Sequence, residues 1–202
     1  MENLLQIADR MSQRGFHVNV CESAEKAALE LMGVIPDNSI IAFGGSMTLQ
    51  EMGLYDKLIE RGNHVLWHWK VPAEDVPEVR RKALGADIFI TSSNALIEDG
   101  RLLNIDGAGN RVAAMVFGPK RVIVVIGKNK ISPDYESAYK RIKEVACPMN
   151  AKRLGRDLPC AETGKCTDCN SPLRMCQCTF MIENAIPGQT MEIWLINEDL
   201  GY

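Results

Sequence analysis

Four of the chain's seven cysteines fall in one run, Cys160-x5-Cys166-x2-Cys169-x6-Cys176, within 17 residues. Two thiols two residues apart can grip one metal from a single turn, and two more complete a tetrahedral or cubane set. The expected chemistry is therefore a thiolate-bound metal centre on Cys160, Cys166, Cys169 and Cys176. Cys178 can replace Cys176, Cys147 is a spare, and Cys21 sits alone. The spacing matches neither the ferredoxin run nor the paired CxxC of a zinc ribbon, so zinc and an iron–sulfur cluster are both compatible with it. Inert cysteines, which rarely cluster this way, and disulfides are the competing readings. Disulfides are set aside because the chain is expected in the cytoplasm, where thiols stay reduced.

A second kind of chemistry is written in glycines and donors. Gly44-Gly45-Ser46-Met47-Thr48 follows an apolar run and opens a helix, a pattern that can present backbone N–H groups and hydroxyls to a phosphate or carboxylate. The competing reading is a tight turn with capping hydroxyls. Ser92-Ser93-Asn94 ends another apolar run. Asn104-Ile105-Asp106-Gly107-Ala108-Gly109-Asn110-Arg111 then sets polar groups and glycines between core-like segments, which suits an anionic or polyhydroxyl ligand. Within it Arg111 is the expected bidentate anchor for a carboxylate. Lys130 closes the set as a point charge beyond the most apolar run in the chain. His64 and His68, with Trp67 and Trp69 around them, read as a packed strand end rather than a metal site. No Ser-His-Asp or Cys-His assembly is indicated.

These residues need a scaffold, and the first 145 residues alternate helix and strand signals. Helices are expected over Leu4–Met11, from Ser23 through Leu31, from Thr48 to about Arg61, over Ala73–Leu84, over Asn110–Phe117 and from Pro133 to Ala146. Strands are expected over Phe16–Cys21, Ser39–Phe43, Val65–Trp69, Asp87–Thr91, Leu102–Ile105, Arg121–Ile126 and Met191–Ile196. This rhythm predicts an α/β fold with a mainly parallel sheet and helices on both faces. Val122 to Ile126 lacks the alternation of a half-exposed strand, so both its faces are expected to be buried. Ligands in such folds collect beyond the carboxyl ends of the strands. That rule selects Gly44–Ser46, Ser92–Asn94 and Gly127–Lys130. Residues 147–178 break the rhythm and read as a Cys-rich, metal- or cluster-holding insertion within a single 1–202 domain.

Composition bounds the answer. The chain has 202 residues, 46% apolar and 24% charged, with a net charge of −3. Such a chain can bury a core without disulfide stapling, and disorder is not expected. The acidic balance argues against a nucleic-acid partner, and no apolar run reaches the length of a membrane span.

Taken together, the motifs resemble the LUD (lactate-utilisation) domain family. The matching stretches are Ile41–Leu49, Thr91–Ala95, Asp99-Gly100 through Asn104, Gly107, Gly109-Asn110-Arg111, Gly118-Pro119-Lys120 with Val124 to Lys130, and the final Glu198–Tyr202. The cysteine cluster resembles that of a subgroup of stand-alone members. The resemblance implies a fold shared with coenzyme A transferases and ribose-5-phosphate isomerases, in which the Gly-rich loop holds a phosphate or acyl group. The implied ligand residues are Gly44, Gly45, Ser46, Thr48, Ser93, Asn94, Asn104, Gly107, Gly109, Asn110, Arg111 and Lys130. No catalytic residue is identified. The weak candidates are Asn94, which stands where isomerases carry an aspartate, and Glu98 in place of a transferase glutamate.

The leading expectation is a subunit or accessory factor of organic-acid oxidation. It would bind a small anionic metabolite, carry an iron–sulfur cluster or zinc, and have other lactate-oxidation subunits or a second copy of itself as partners. The competing expectations are a transferase- or isomerase-like enzyme with structural zinc, and a ligand-sensing module without catalysis. Colour separates the first two, since an iron–sulfur protein is brown and a zinc protein colourless.

Overall fold

A computed structural model describes residues 1–202. In chain order the elements are α1 (Glu2–Gln13), β1 (His17–Cys21), α2 (Ala24–Val34), β2 (Ile40–Phe43), α3 (Met47–Met52), α4 (Leu54–Glu60), β3 (His64–Trp67) and α5 (Val76–Lys82). There follow β4 (Ile88–Thr91), β5 (Ala95–Ile97), β6 (Leu102–Asp106), α6 (Asn110–Val116), β7 (Arg121–Gly127), β8 (Ile131–Ser132) and α7 (Tyr135–Arg141). The last elements are α8 (Cys147–Arg153), α9 (Pro159–Thr163), β9 (Cys178–Ile182) and β10 (Thr190–Ile196).

The main sheet has six strands in the order β1-β10-β7-β4-β2-β3, and every pairing is parallel. β7 shows why its sequence does not alternate. Val122, Val124 and Ile126 pack with Ile7 and Met11 of α1 and Ala114 and Met115 of α6. Ile123 and Val125, pointing the other way, pack with Leu31 of α2, Leu49 of α3 and Leu54 and Leu58 of α4. Each such fully buried aliphatic side chain contributes roughly 1.5–3 kcal/mol, so both faces demand apolar residues. β7, β4 and β2 lie side by side, which brings Gly127, Thr91 and Phe43 to one edge of the sheet.

A second sheet, in the order β8-β5-β6-β9, is mostly antiparallel. Leu96, Leu102 and Ile182 join the α1 side of the main core. Ala95, Ile97, Leu103 and Ile105 instead meet Ala138 of α7 and Ile142 and Ala146 beyond it. The sequence does not announce β9. It pairs with β6, Cys178 opposite Asp106, but only Ile182 in it is buried, and Phe180-Met181-Ile182 does not alternate as a half-buried strand would.

Two helices depart from expectation in ways that shape the site. The helix after β2 is capped by Ser46, whose Oγ accepts the Leu49 N–H at 3.3 Å, rather than by Thr48. It breaks at Gly53, which has φ 61° and ends α3 in the left-handed conformation that glycine tolerates. The helix after Pro133 does not stop at Ala146. A π-turn over Ile142–Ala146 leads straight into α8. Pro148 has no N–H to donate, and the helix widens in the turn before it. Cys147 therefore rides on a helix and is not part of an irregular excursion.

Candidate functional site

A cleft of about 590 Å³ lies beyond the carboxyl ends of β2, β3, β4, β6 and β7. That volume is in the ordinary range for small-molecule sites. Its wall carries six basic side chains, Arg80, Arg111, Lys130, Arg153, Arg156 and Arg174, against one carboxylate, Asp106. In a chain of net charge −3 this is a local reversal of sign.

Arg111 forms the floor of the cleft. Its Nε donates to Asp106 Oδ1 at 2.9 Å, Nη1 to the carbonyl of Ser92 and to Asn104 Oδ1, and Nη2 to Asn94 Oδ1 and the carbonyl of Ile105. A guanidinium has five N–H donors, and all five are committed to protein. Asp106 spends its other oxygen on the Val112 N–H at 3.1 Å. Arg111 therefore clamps β6, α6 and the Ser92–Asn94 turn together, and a bidentate grip on a ligand would have to break that clamp. Removing one partner of a buried pair typically costs about 3–5 kcal/mol.

Lys130 is 3% exposed and reaches the cleft from the turn after β7. Its Nζ lies 2.7 Å from Thr48 Oγ1 and 2.9 Å from Ser92 Oγ, and no carboxylate pairs with it. Burial, then the nearby charges of Arg141 and Arg111, push its pKa down to about 7. Thr48 is wholly buried behind it and donates to the carbonyl of Leu200 at 3.2 Å.

One side wall is aromatic. Trp69 stacks on Trp67 with ring centres 5.3 Å apart, and the Arg153 guanidinium lies 4.1 Å from the centre of the Trp69 ring. Burial, then Arg80 and Arg153, push His68 down to about 4, so its imidazole is neutral at neutral pH. Arg80 Nε is buried without a hydrogen-bond partner. Tyr202 also lines the cleft, its hydroxyl accepting from Arg153 Nε and donating to Asn150 Oδ1, each at 2.9 Å.

The cysteines meet at a second, smaller cavity. It is lined by Cys147, Cys160, Cys166, Cys169 and Cys176, with Lys143, Asp168 and Arg174 among its other neighbours. No three Cys, His, Asp or Glu side chains are gathered as a single-ion site. The donor set is all thiol, which fits a thiolate-bound centre. Hydrogen bonds brace the loop around the cavity. Arg174 donates to the carbonyls of Cys176 and Cys169 and to Asp168 Oδ1, Lys143 donates to the same carboxylate oxygen, and the Asp168 N–H points at Cys166 Sγ at 3.4 Å. Interaction with Cys176, then burial, raises the Cys147 pKa, and interaction with Cys147 lowers that of Cys176. Cys178 is exposed at the start of β9, its sulfur 3.7 Å from the Asp106 carbonyl, and does not line the cavity. Cys147 is thus the fifth thiol lining the cavity, and Cys178 lies outside it.

Among the residues expected at a ligand, the cleft brings together Gly45, Ser46, Ser93, Asn94, Gly107, Asn110, Arg111 and Lys130. Gly44, Thr48, Asn104 and Gly109 do not line it. The glycines of the first loop serve packing: a Cβ on Gly44 would strike the Thr91 side chain, and one on Gly45 would sit 2.9 Å from Trp69 Nε1. Glu98 lies outside the cleft, in a turn where its N–H meets the Ser132 carbonyl and its own carbonyl accepts from Arg10. His68, Trp69, Arg80, Arg153 and Arg174 were not singled out as ligand residues from the sequence. Position just after β3 was the one available signal for His68; Arg80 and Arg153 sit in helices with no motif around them, while Arg174 lies inside the cysteine run, between Cys169 and Cys176.

Among curated proteins none matches this chain. Of solved structures, a DUF162 family protein from Deinococcus radiodurans is similar over 97% of both chains, with a TM-score of 0.55 at 14% identity. Ribose 5-phosphate isomerase from Plasmodium falciparum is similar over 55% of this chain and 52% of its own, with a TM-score of 0.37 at 15% identity. The model of the LUD domain matches residues 4–196. With that match over nearly its whole length, the chain belongs to the LUD domain family, the lactate-utilisation type.

Proposed function

We propose that this protein is an accessory subunit of organic-acid oxidation that binds an anionic metabolite in the cleft and carries an iron–sulfur cluster beside it. The observation that carries this reading is a shared wall. Cys147, Arg174, Met175 and Cys176 line both the thiol cavity and the cationic cleft. A centre held there stands next to whatever the cleft binds, which is what electron exchange between the two requires and what a remote structural zinc would not need. Family membership favours iron over zinc for the same reason, since the family's pathway is oxidative. The cluster would supply a one-electron relay to a partner subunit. The chain's own residues do the rest. Arg80, Arg153 and Arg174 attract and orient the anion, neutral His68 can take or give a hydrogen bond, and Arg111 holds the floor rigid.

The proposed ligands are Cys160, Cys166, Cys169 and Cys176, with Cys147 as the neighbouring thiol. The test is iron, sulfide and zinc content with a visible spectrum after anaerobic purification, for the wild type and each single Cys→Ser variant. A brown protein that loses its iron on substitution of Cys160, Cys166, Cys169 or Cys176, and keeps it in Cys178→Ser, is the expected result. Stoichiometric zinc in a colourless protein would reject the redox reading, and metal retained in all four variants would reject the ligand set.

A further inference from the structure

The geometry around Lys130 points to a second chemistry: we propose that its Nζ condenses with the carbonyl of a 2-oxo acid bound in the cleft, forming an imine. The inference rests on reading the cleft as an organic-acid site. A charged ammonium taken out of water is strongly disfavoured unless a carboxylate pairs with it. Lys130 is 3% exposed, and its hydrogen-bond partners are two hydroxyls. The groups that face it are Arg111 from α6, Arg141 from α7 and Glu51 from α3. Two of the three are cations, and the Glu51 carboxylate is engaged by the Gly201 N–H at 2.7 Å. The amine is therefore divided between its charged and neutral forms near pH 7, and the neutral form is the one in which a lysine is a nucleophile.

Its orientation suits the attack. The Thr48 hydroxyl proton goes to the Leu200 carbonyl, so Thr48 Oγ1 accepts one Nζ–H. Ser92 Oγ accepts the other. Neither bond uses the lone pair of the neutral amine, and Lys130 and Ser92 both line the cleft. The same cleft offers a carboxylate its partner in Arg80, whose Nε is buried and unpaired. In the step, Nζ adds to the carbonyl carbon and the oxygen is protonated, with Ser92 placed to relay the proton from Nζ. Loss of one water then leaves a carbon–nitrogen double bond. Amine plus ketone gives imine plus water, with no oxidant or reductant consumed.

The test uses the full chain with glyoxylate or pyruvate, the smallest 2-oxo acids, and sodium cyanoborohydride to reduce any imine to a stable amine. Intact mass and peptide mapping locate the adduct. One adduct per chain at Lys130, lost in Lys130→Arg, is the expected outcome. No adduct, or an adduct spread over exposed lysines and unchanged in Lys130→Arg, would overturn the proposal. Mapping on the wild type decides the matter even if the variant folds poorly. Calorimetry with lactate, which has no carbonyl to condense, separates the two layers of argument. Lactate binding without pyruvate trapping rejects the role of Lys130 alone, and failure of both rejects the cleft as an organic-acid site as well.

Discussion

Arg111 and Lys130 share one cleft and do opposite work. Arg111 is charged and fully engaged, and its charge is absorbed by Asp106 and four further oxygens. Lys130 has no such absorber, which gives its environment a measurable sign. Its pKa is near 7 in the fold against an ordinary value of 10.5. Between those values the unfolded chain holds a proton that the folded chain does not, so stability from this residue rises with pH from about 7 to about 10.5 and is lowest below 7. Lys130→Met should therefore raise the melting temperature relative to wild type most at pH 6, with the advantage shrinking toward pH 10. Thermal melts of both proteins across that range check it, and a difference independent of pH would count against a neutralised Lys130. The sequence made both residues visible as donors near strand ends. It could not show which was spent, because that depends on partners up to 82 positions away, as Thr48 is from Lys130.

At the level of elements, the thiol loop is held by arginine more than by packing. α9 buries no residue, and the stretch from Cys160 to Cys178 has no strand or longer helix of its own. Arg174 supplies three separate bonds within it. Arg174→Ala should speed amide exchange across residues 160–177 while leaving β7 and β10 as protected as before, since local openings follow the contacts that are lost. Hydrogen exchange read by mass spectrometry is the measurement, and uniform loosening of the whole chain would show that the loop is part of the core's cooperative unit. The parallel strands were legible because Val122–Ile126 and Ile88–Ile90 are apolar without a break. The π-turn was not, because Pro148 reads locally as a stop signal and only the packing of Ile142 and Ala146 on the second sheet shows that the helix continues. β9 was hidden for the converse reason: its first three residues are exposed and it exists through its pairing with β6.

For the molecule as a whole, the expected layered architecture stands, with helices on both faces of a six-stranded parallel sheet. No helix is long and apolar enough to cross a membrane. The sign reversal between the surface as a whole and the cleft has a consequence for binding. The cationic wall attracts anions over distances that salt shortens, about 10 Å at 0.1 M ionic strength. Phosphate affinity, measured by calorimetry at constant pH, should fall as sodium chloride is raised, and a neutral polyol of similar size should show no such dependence. An affinity for phosphate indifferent to salt would mean that the arginines are not the attracting groups. Net charge concealed this feature, since the cleft's cations come from α5, α6, the turn after β7, α8 and the thiol loop, which only the fold assembles.

The stacked indoles give the protein an optical voice. Trp69 faces the cleft with Arg153 against its ring, while Trp194 is buried in the core on the α2 side of the sheet. A ligand that draws Arg153 away alters the field at the stacked Trp67–Trp69 pair and leaves Trp194 as an internal reference. A dark-absorbing cluster in the adjoining thiol cavity would quench the cleft emitter by energy transfer. Occupancy of the two cavities can thus be followed in one emission spectrum without attaching a label.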